Sequence, residues 1–191
     1  AQQRDAPTVP LAMITAAARA RRGGNSLGAD QADAIGRIAV SGRRLDVLVG
    51  PAGAGKTTTM SALRQAWERR HGSGSVVGLA PSAAAADVLA QDLGISTENT
   101  AKWLHEHRHG NWNLTTGQLV IIDEASLAGS FALDAITTHA TRVGAKVLLV
   151  GDWAQLAAVD AGGAFGMLVR DRGDAPELLD VRRFHNDWEK Q

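Results

Sequence analysis

The stretch Gly50-Pro51-Ala52-Gly53-Ala54-Gly55-Lys56-Thr57-Thr58 constrains this chain more than any other. It fits G-x-x-x-x-G-K-[ST], the pattern of a phosphate-binding loop. Glycines at 50, 53 and 55 let the backbone bend at little steric cost, so that successive N–H groups can point into one concave nest. A following helix adds its free N-terminal N–H groups and the positive end of its dipole. Lys56 would bring a full positive charge to the β- and γ-phosphates of ATP, and Thr57 a hydroxyl for Mg²⁺. The flanks suit the motif. Leu45 to Val49 is a short apolar run that reads as a buried strand, and Thr58 to Arg70 reads as a helix with Met60, Leu63 and Trp67 at helical spacing. Strand, glycine loop and helix in that order demand an α/β fold.

The remaining elements repeat the pattern. Val76–Ala80, Gln118–Glu124 and Lys146–Asp152 are aliphatic runs that read as buried strands, and Leu178–Val181 reads as a last one. Helices are expected over 10–22, from Leu27 to about Val40, over 83–93, from Ala101 to about His107, and over 131–142. Asp30 is a plausible N-cap for the second of these, and Asn99 or Thr100 for the fourth. Strands alternating with helices predict a parallel sheet covered on both faces. Ligands of such sheets sit at the C-terminal ends of the strands, which is where every polar motif of this chain falls. Residues 1–26 read as a lead-in with a linker helix, and 27–191 as the domain that carries the phosphate loop.

Gln118 to Ile122 delivers two acids, Asp123 and Glu124, at a strand end. Beside a phosphate loop this arrangement gives Asp123 the Mg²⁺ ion, through water, and gives Glu124 the attacking water. Gln31, early in its helix, can present a donor and an acceptor to an adenine edge. His105-Glu106-His107-Arg108-His109 matches H-E-x-x-H, a zinc pattern, but Gly110 follows at once and no third ligand is evident. A solvated helix end is the better reading.

Composition narrows the classes. With 191 residues, 45% hydrophobic and 21% charged, the chain can bury the core of one domain. Its 20 basic and 20 acidic residues cancel, so nucleic acid would have to be met by local patches. It has no Cys and no Tyr, which excludes disulfides, thiolate metal sites and a tyrosine nucleophile. No apolar run spans a membrane, and the basic residues after 11–20 stand on the wrong side for a signal peptide; a cytoplasmic location is expected. The chain reads as a piece of a longer protein.

Gly151-Asp152-Trp153-Ala154-Gln155-Leu156 completes a recognisable order of motifs. Over roughly Leu27 to Glu189 the chain resembles the first RecA-like domain of superfamily one DNA helicases of the RecD-like branch. It is most similar to the helicase portion of conjugative relaxases of the TraI/TrwC type. The resemblance implies a RecA-like P-loop fold, ATP and Mg²⁺ as cofactors, and single-stranded DNA as partner. It implies that Gln31 reads adenine, that residues 50 to 58 (Gly50, Pro51, Ala52, Gly53, Ala54, Gly55, Lys56, Thr57, Thr58) hold the triphosphate, and that Thr57 and Asp123 serve the metal. Glu124 would act on water, Gln155 would sense the γ-phosphate, and Arg183 would approach it. Pro81, Ser82, Thr100 and His105 would meet DNA. Trp153 departs from the proline expected in that loop. A second RecA-like domain and an upstream relaxase domain would belong to the same parent chain, so this piece is expected to bind nucleotide without unwinding DNA. Two other readings share the phosphate loop or none of it: a small-molecule kinase, against which Glu124 beside Asp123 favours water as acceptor, and a non-catalytic docking module. No N-K-x-D guanine-reading sequence is present, which argues against a GTPase.

Overall fold

The structure, a computed structural model, describes residues 5–20, 27–152 and 163–179. Its strands are β1 (Leu45–Val49), β2 (Val76–Ala80), β3 (Ser96–Asn99), β4 (Leu119–Ile122) and β5 (Lys146–Gly151). Its helices are α1 (Leu11–Ala20), α2 (Ala29–Val40), α3 (Lys56–His71), α4 (Ala83–Leu93), α5 (Thr100–Arg108), α6 (Ser130–Val143) and α7 (Gly163–Asp171). The strands form one sheet in the order β1-β5-β4-β2-β3, and every pairing is parallel. This is a RecA-like P-loop α/β fold.

Parallel strands covered on both faces must be apolar throughout, and alternate residues then feed two cores. Leu48, Ile121, Leu148 and Val150 join Ile35, Ile38, Leu63, Trp67, Leu89 and Leu93 on one face, under α2, α3 and α4. Val47, Val49, Val120, Ile122, Val147 and Leu149 meet Trp103, Leu133, Ile136, Phe165 and Val169 on the other, under α5, α6 and α7. The helix expected as a linker, α1, lies in the first core through the buried Ile14 and Ala17. Leu11 comes so near α2 that a Cβ on Gly36 would stand 3.3 Å from its side chain.

Several local expectations are corrected. Asp30 is in the first turn of α2 and not its cap; Gly28 caps the helix, and its N–H donates to Gln31 Oε1 at 2.9 Å. Asn99, not Thr100, caps α5, its Oδ1 accepting from Lys102 N–H at 2.8 Å. Strand β3 has the polar sequence Ser96-Thr97-Glu98-Asn99 and pairs only with β2, at the sheet edge. Polar edge strands carry no hydrophobic signal, which is why this one is invisible before pairing. Helix α7 begins at Gly163; Gly163 and Gly166 weaken its helical pattern, and burial of Phe165 and Val169 holds it. The last expected strand is described only in its opening, where Glu177 bridges Val49 and Leu178 N–H donates to Val49 O at 2.8 Å.

At the end of the sheet away from these strand tips lies a buried ionic cluster. Asp46 accepts from Lys146 Nζ at 2.7 Å, from Ser41 Oγ at 2.6 Å and from Arg172 at 3.2 Å. Arg43 carries the cluster outward to Asp174, at 2.6 Å. Lys146 is fully buried, and burial pushes its ammonium below the usual lysine range against the pull of Asp46. The cluster ties β1, β5 and the segment after α7 together. That segment leads into the pairing with β1, beside the loop at Gly50.

Candidate nucleotide-binding cleft

Register decides which motifs meet. Val49 pairs with Gly151, and Ile122 pairs with Leu149. Because β5 stands between β1 and β4, Gly50 leaves the sheet on one side of Gly151-Asp152, and Asp123-Glu124 on the other. Gly50 N–H donates to Gly151 O at 3.2 Å, and Ala125 N–H to Val150 O at 2.8 Å. Between them is a cleft of about 160 Å³ lined by Ala52, Lys56, Asp123, Glu124, Gly151 and Asp152.

The loop's glycines divide the work. Gly53 and Gly55 have φ of 82° and 81°, the left-handed region in which other residues are strained. Gly50 answers to packing instead: a Cβ there would lie 3.0 Å from Leu178 Cβ and 3.3 Å from Leu178 O. Gly55 O accepts from Thr59 N–H at 3.0 Å, Thr59 Oγ1 at 2.9 Å and Gln31 Nε2 at 3.1 Å. These three bonds fix the peptide that opens α3, with its first-turn N–H groups at the loop. Lys56 Nζ donates to Gly50 O at 2.7 Å and Pro51 O at 3.0 Å, so its charge rests on the loop's own carbonyls.

Asp123 N–H donates to Leu79 O at 2.9 Å, and its carboxylate accepts from Glu124 N–H at 2.9 Å. Burial pushes the Asp123 carboxyl above the usual range; the Glu124 N–H and the Lys56 charge pull it down, and the charges of Glu124 and Asp92 push it up. Glu124 has φ of 49°, the one left-handed residue besides glycine among the described residues. A glutamate held there stores strain of about 1 kcal/mol.

The structure thus brings Ala52, Lys56, Asp123 and Glu124 together, and other expected residues stand elsewhere. Gln31 is buried and spends its amide on Gly28 and Gly55, bracing the loop from α2. Thr57 is exposed and does not line the cleft; its hydroxyl lies 3.5 Å from Asp92 Oδ2 on α4. Pro81 and Ser82 top β2, where Ser82 caps α4 by accepting from Ala85 N–H at 3.1 Å. Thr100 is buried, whereas His105 is exposed. Gln155 and Arg183 lie outside the described residues. Asp152 is a buried member of the cleft that the sequence reading left without a role; its signal was its place at the end of β5. The H-E-x-x-H segment ends its helix at Arg108 with His109 as C-cap, and His109 Nδ1 stands 2.7 Å from His105 O. No group of three or more His, Asp or Glu among the described residues has the spacing of a metal site. The oxygen donors at hand, Asp123 with Glu124 and Asp152 beside it, suit a hard cation whose other ligands are phosphate and water.

A family model described as AAA domain matches residues 26–191. The chain is similar to the conjugal transfer protein TraA of Rhizobium radiobacter, 38% identical over 145 residues, covering 76% of this chain and 13% of that protein. It is also similar to the ATP-dependent RecD2 DNA helicase of Deinococcus radiodurans, 39% identical over 153 residues, covering 75% of this chain and 20% of the relative. Among solved structures, the UvsW helicase from bacteriophage T4 superposes with a TM-score of 0.61 at 14% identity, over 93% of this chain and 69% of that one. The Pif1 helicase from Candida albicans superposes with a TM-score of 0.55 at 17% identity, over 81% and 40%. No helix among the described residues is long and apolar enough to cross a membrane.

Proposed function

Because the chain belongs to the AAA domain family, which its sequence matches from residue 26 to 191, we propose that it is the nucleotide-binding motor domain of a DNA helicase of the conjugal-transfer type. In the parent protein it would couple ATP hydrolysis to movement on single-stranded DNA. The chain spans 13 to 20% of the relatives it matches, so the parent would also carry a second RecA-like domain and, in the relaxase case, an upstream relaxase domain. Residues 27–191 would form the ATPase domain. The isolated chain would bind ATP without unwinding DNA, since an arginine supplied by a facing domain is worth about 10³–10⁵ in rate.

One observation carries the reading: Lys56 and the Asp123-Glu124 pair line a single cleft at the strand tips. The amides of the loop and of α3 would receive the phosphates. Lys56, now bonded to Gly50 O and Pro51 O, would exchange those carbonyls for β- and γ-phosphate oxygens. Bound Mg²⁺ would neutralise phosphate charge, held by Asp123 and the Thr57 hydroxyl, which would have to turn from Asp92 to reach it. Glu124 would orient a water and take its proton. Gln155 would sense the γ-phosphate, Arg183 would approach it, and Gln31 would hold the loop on the adenine side. Pro81, Ser82 and His105 would face the DNA.

The test is phosphate release by the parent protein in the presence of single-stranded DNA. Glu124→Gln is expected to retain ATP and lose hydrolysis. Unchanged turnover in that variant would remove Glu124 from the chemistry, and a small-molecule acceptor for the phosphate would replace the motor with a kinase.

A further inference from the structure

Phe131 is exposed to 68% at the start of α6, the helix that follows β4 and the Asp123-Glu124 pair. It is not bare. The Arg108 guanidinium carbon stands 5.7 Å from its ring centroid, within reach of a cation–π contact. Arg108 makes no ion pair among the described residues, so its charge is not cancelled locally. The outward face of α5 continues the exposed polar surface. Lys102, His105, Arg108 and His109 are all exposed, and their spacing lays them along one side of the helix, opposite the buried Trp103. Lys102 is shared with Glu98 at 2.6 Å.

An exposed aromatic ring with an uncancelled guanidinium over it is the chemistry that receives an unpaired nucleobase with a flanking phosphate. A base pair within a duplex has both faces already stacked and cannot lie on such a ring. We propose that Phe131 and Arg108 form a stacking platform for one base of a nucleic-acid single strand, with the outward face of α5 carrying the adjoining phosphates. This rests on the motor reading for the class of partner and adds Phe131 and Arg108 to the contacts at Pro81, Ser82 and His105. The platform lies on the same connection as Glu124: Leu127 N–H donates to Glu124 O at 2.9 Å, and Phe131, the second residue of α6, stands four residues later.

The experiment uses this 191-residue chain, a fluorescent oligothymidylate, and a strand of the same length abasic throughout, read by anisotropy. Phe131→Ala should weaken binding of the intact strand by roughly tenfold, the order expected for losing one base–aromatic stack. Phe131→Trp should bind at least as tightly as the unaltered chain. On the abasic strand the three proteins should converge. Arg108→Gln should weaken both strands and reduce the salt dependence of binding by about one phosphate contact. Because Phe131 is exposed, all variants should melt with the parent chain. Equal affinity of Phe131→Ala and the unaltered chain for the intact strand overturns the platform and leaves the motor reading standing. Loss of self-association in Phe131→Ala, with DNA affinity unchanged, overturns it in favour of a contact with a second copy. No binding of single strands by the unaltered chain overturns the platform together with its premise.

Discussion

Glu124 offers a test in which the sign of the answer is set by backbone geometry. Its φ of 49° places a residue with a Cβ in the left-handed region. Comparing Glu124→Gly with Glu124→Ala removes the carboxylate in both and varies only the Cβ. In ordinary helix or strand, glycine would be the less stable of the two by about 0.5–1 kcal/mol. At a left-handed position the order inverts, because alanine bears a steric cost of about 1–2 kcal/mol, which exceeds the entropic penalty that glycine still carries. Both variants also relieve the repulsion that raises the neighbouring Asp123 carboxyl. Glu124→Gly should therefore be more stable than Glu124→Ala by about 1 kcal/mol, or roughly 2–4 °C in melting temperature for a domain of this size. Urea unfolding at neutral pH with an unchanged m-value measures the difference directly. If Glu124→Ala equals or exceeds Glu124→Gly, the strained turn is wrong, and with it the account of how β4 presents its second acid.

Three further outcomes follow from buried charge. The Asp123 carboxyl is raised by burial, so the unliganded fold binds its proton more readily than the unfolded chain does, and stability falls as pH rises through that window. Asp123→Asn should stabilise the unliganded protein at neutral pH and abolish any added stabilisation by Mg²⁺, both visible in thermal melts. His139 is held below its usual 6.5 by burial first, then by His107 and Arg142; folding favours the neutral ring, so stability is full above 6.5 and falls as pH drops toward the depressed folded value, a fall that His139→Gln should flatten. Asp46→Ala would strand fully buried Lys146 and buried Arg172 without their shared anion, which should cost about 3–5 kcal/mol in chemical unfolding, far more than Asp174→Ala at the exposed end of the same cluster.

Much of this molecule is legible before folding because its parallel sheet is fully covered. Four of the strands are aliphatic runs, and aliphatic runs that end in polar residues announce both the layer and the edge where ligands bind. The fifth, Ser96–Asn99, gains its strand character from pairing with β2, a tertiary fact with no local signature. Asp46 and Lys146 sit in apolar strand sequences and betray no cluster until Arg172 arrives from the segment after α7. Within the site, Lys56 and the acids were readable because loop chemistry dictates residue type. Strand order was not readable, and strand order is what inserts Gly151-Asp152 between them. The bracing of Gly55 by Gln31 and the contact of Thr57 with Asp92 depend on how α2 and α4 pack beside α3, which spacing along a chain does not encode.

The central claim is that the cleft between Lys56 and Asp123 receives a nucleotide's phosphates, and heat denaturation of this chain with ADP and Mg²⁺ tests it most directly. Nucleotide at a hundred times its dissociation constant should stabilise the fold by about 2.7 kcal/mol. Lys56→Ala should melt close to the unliganded original and gain nothing from nucleotide at the same concentration. A melting temperature indifferent to Mg–ADP, or a rise of equal size in Lys56→Ala, would contradict the account.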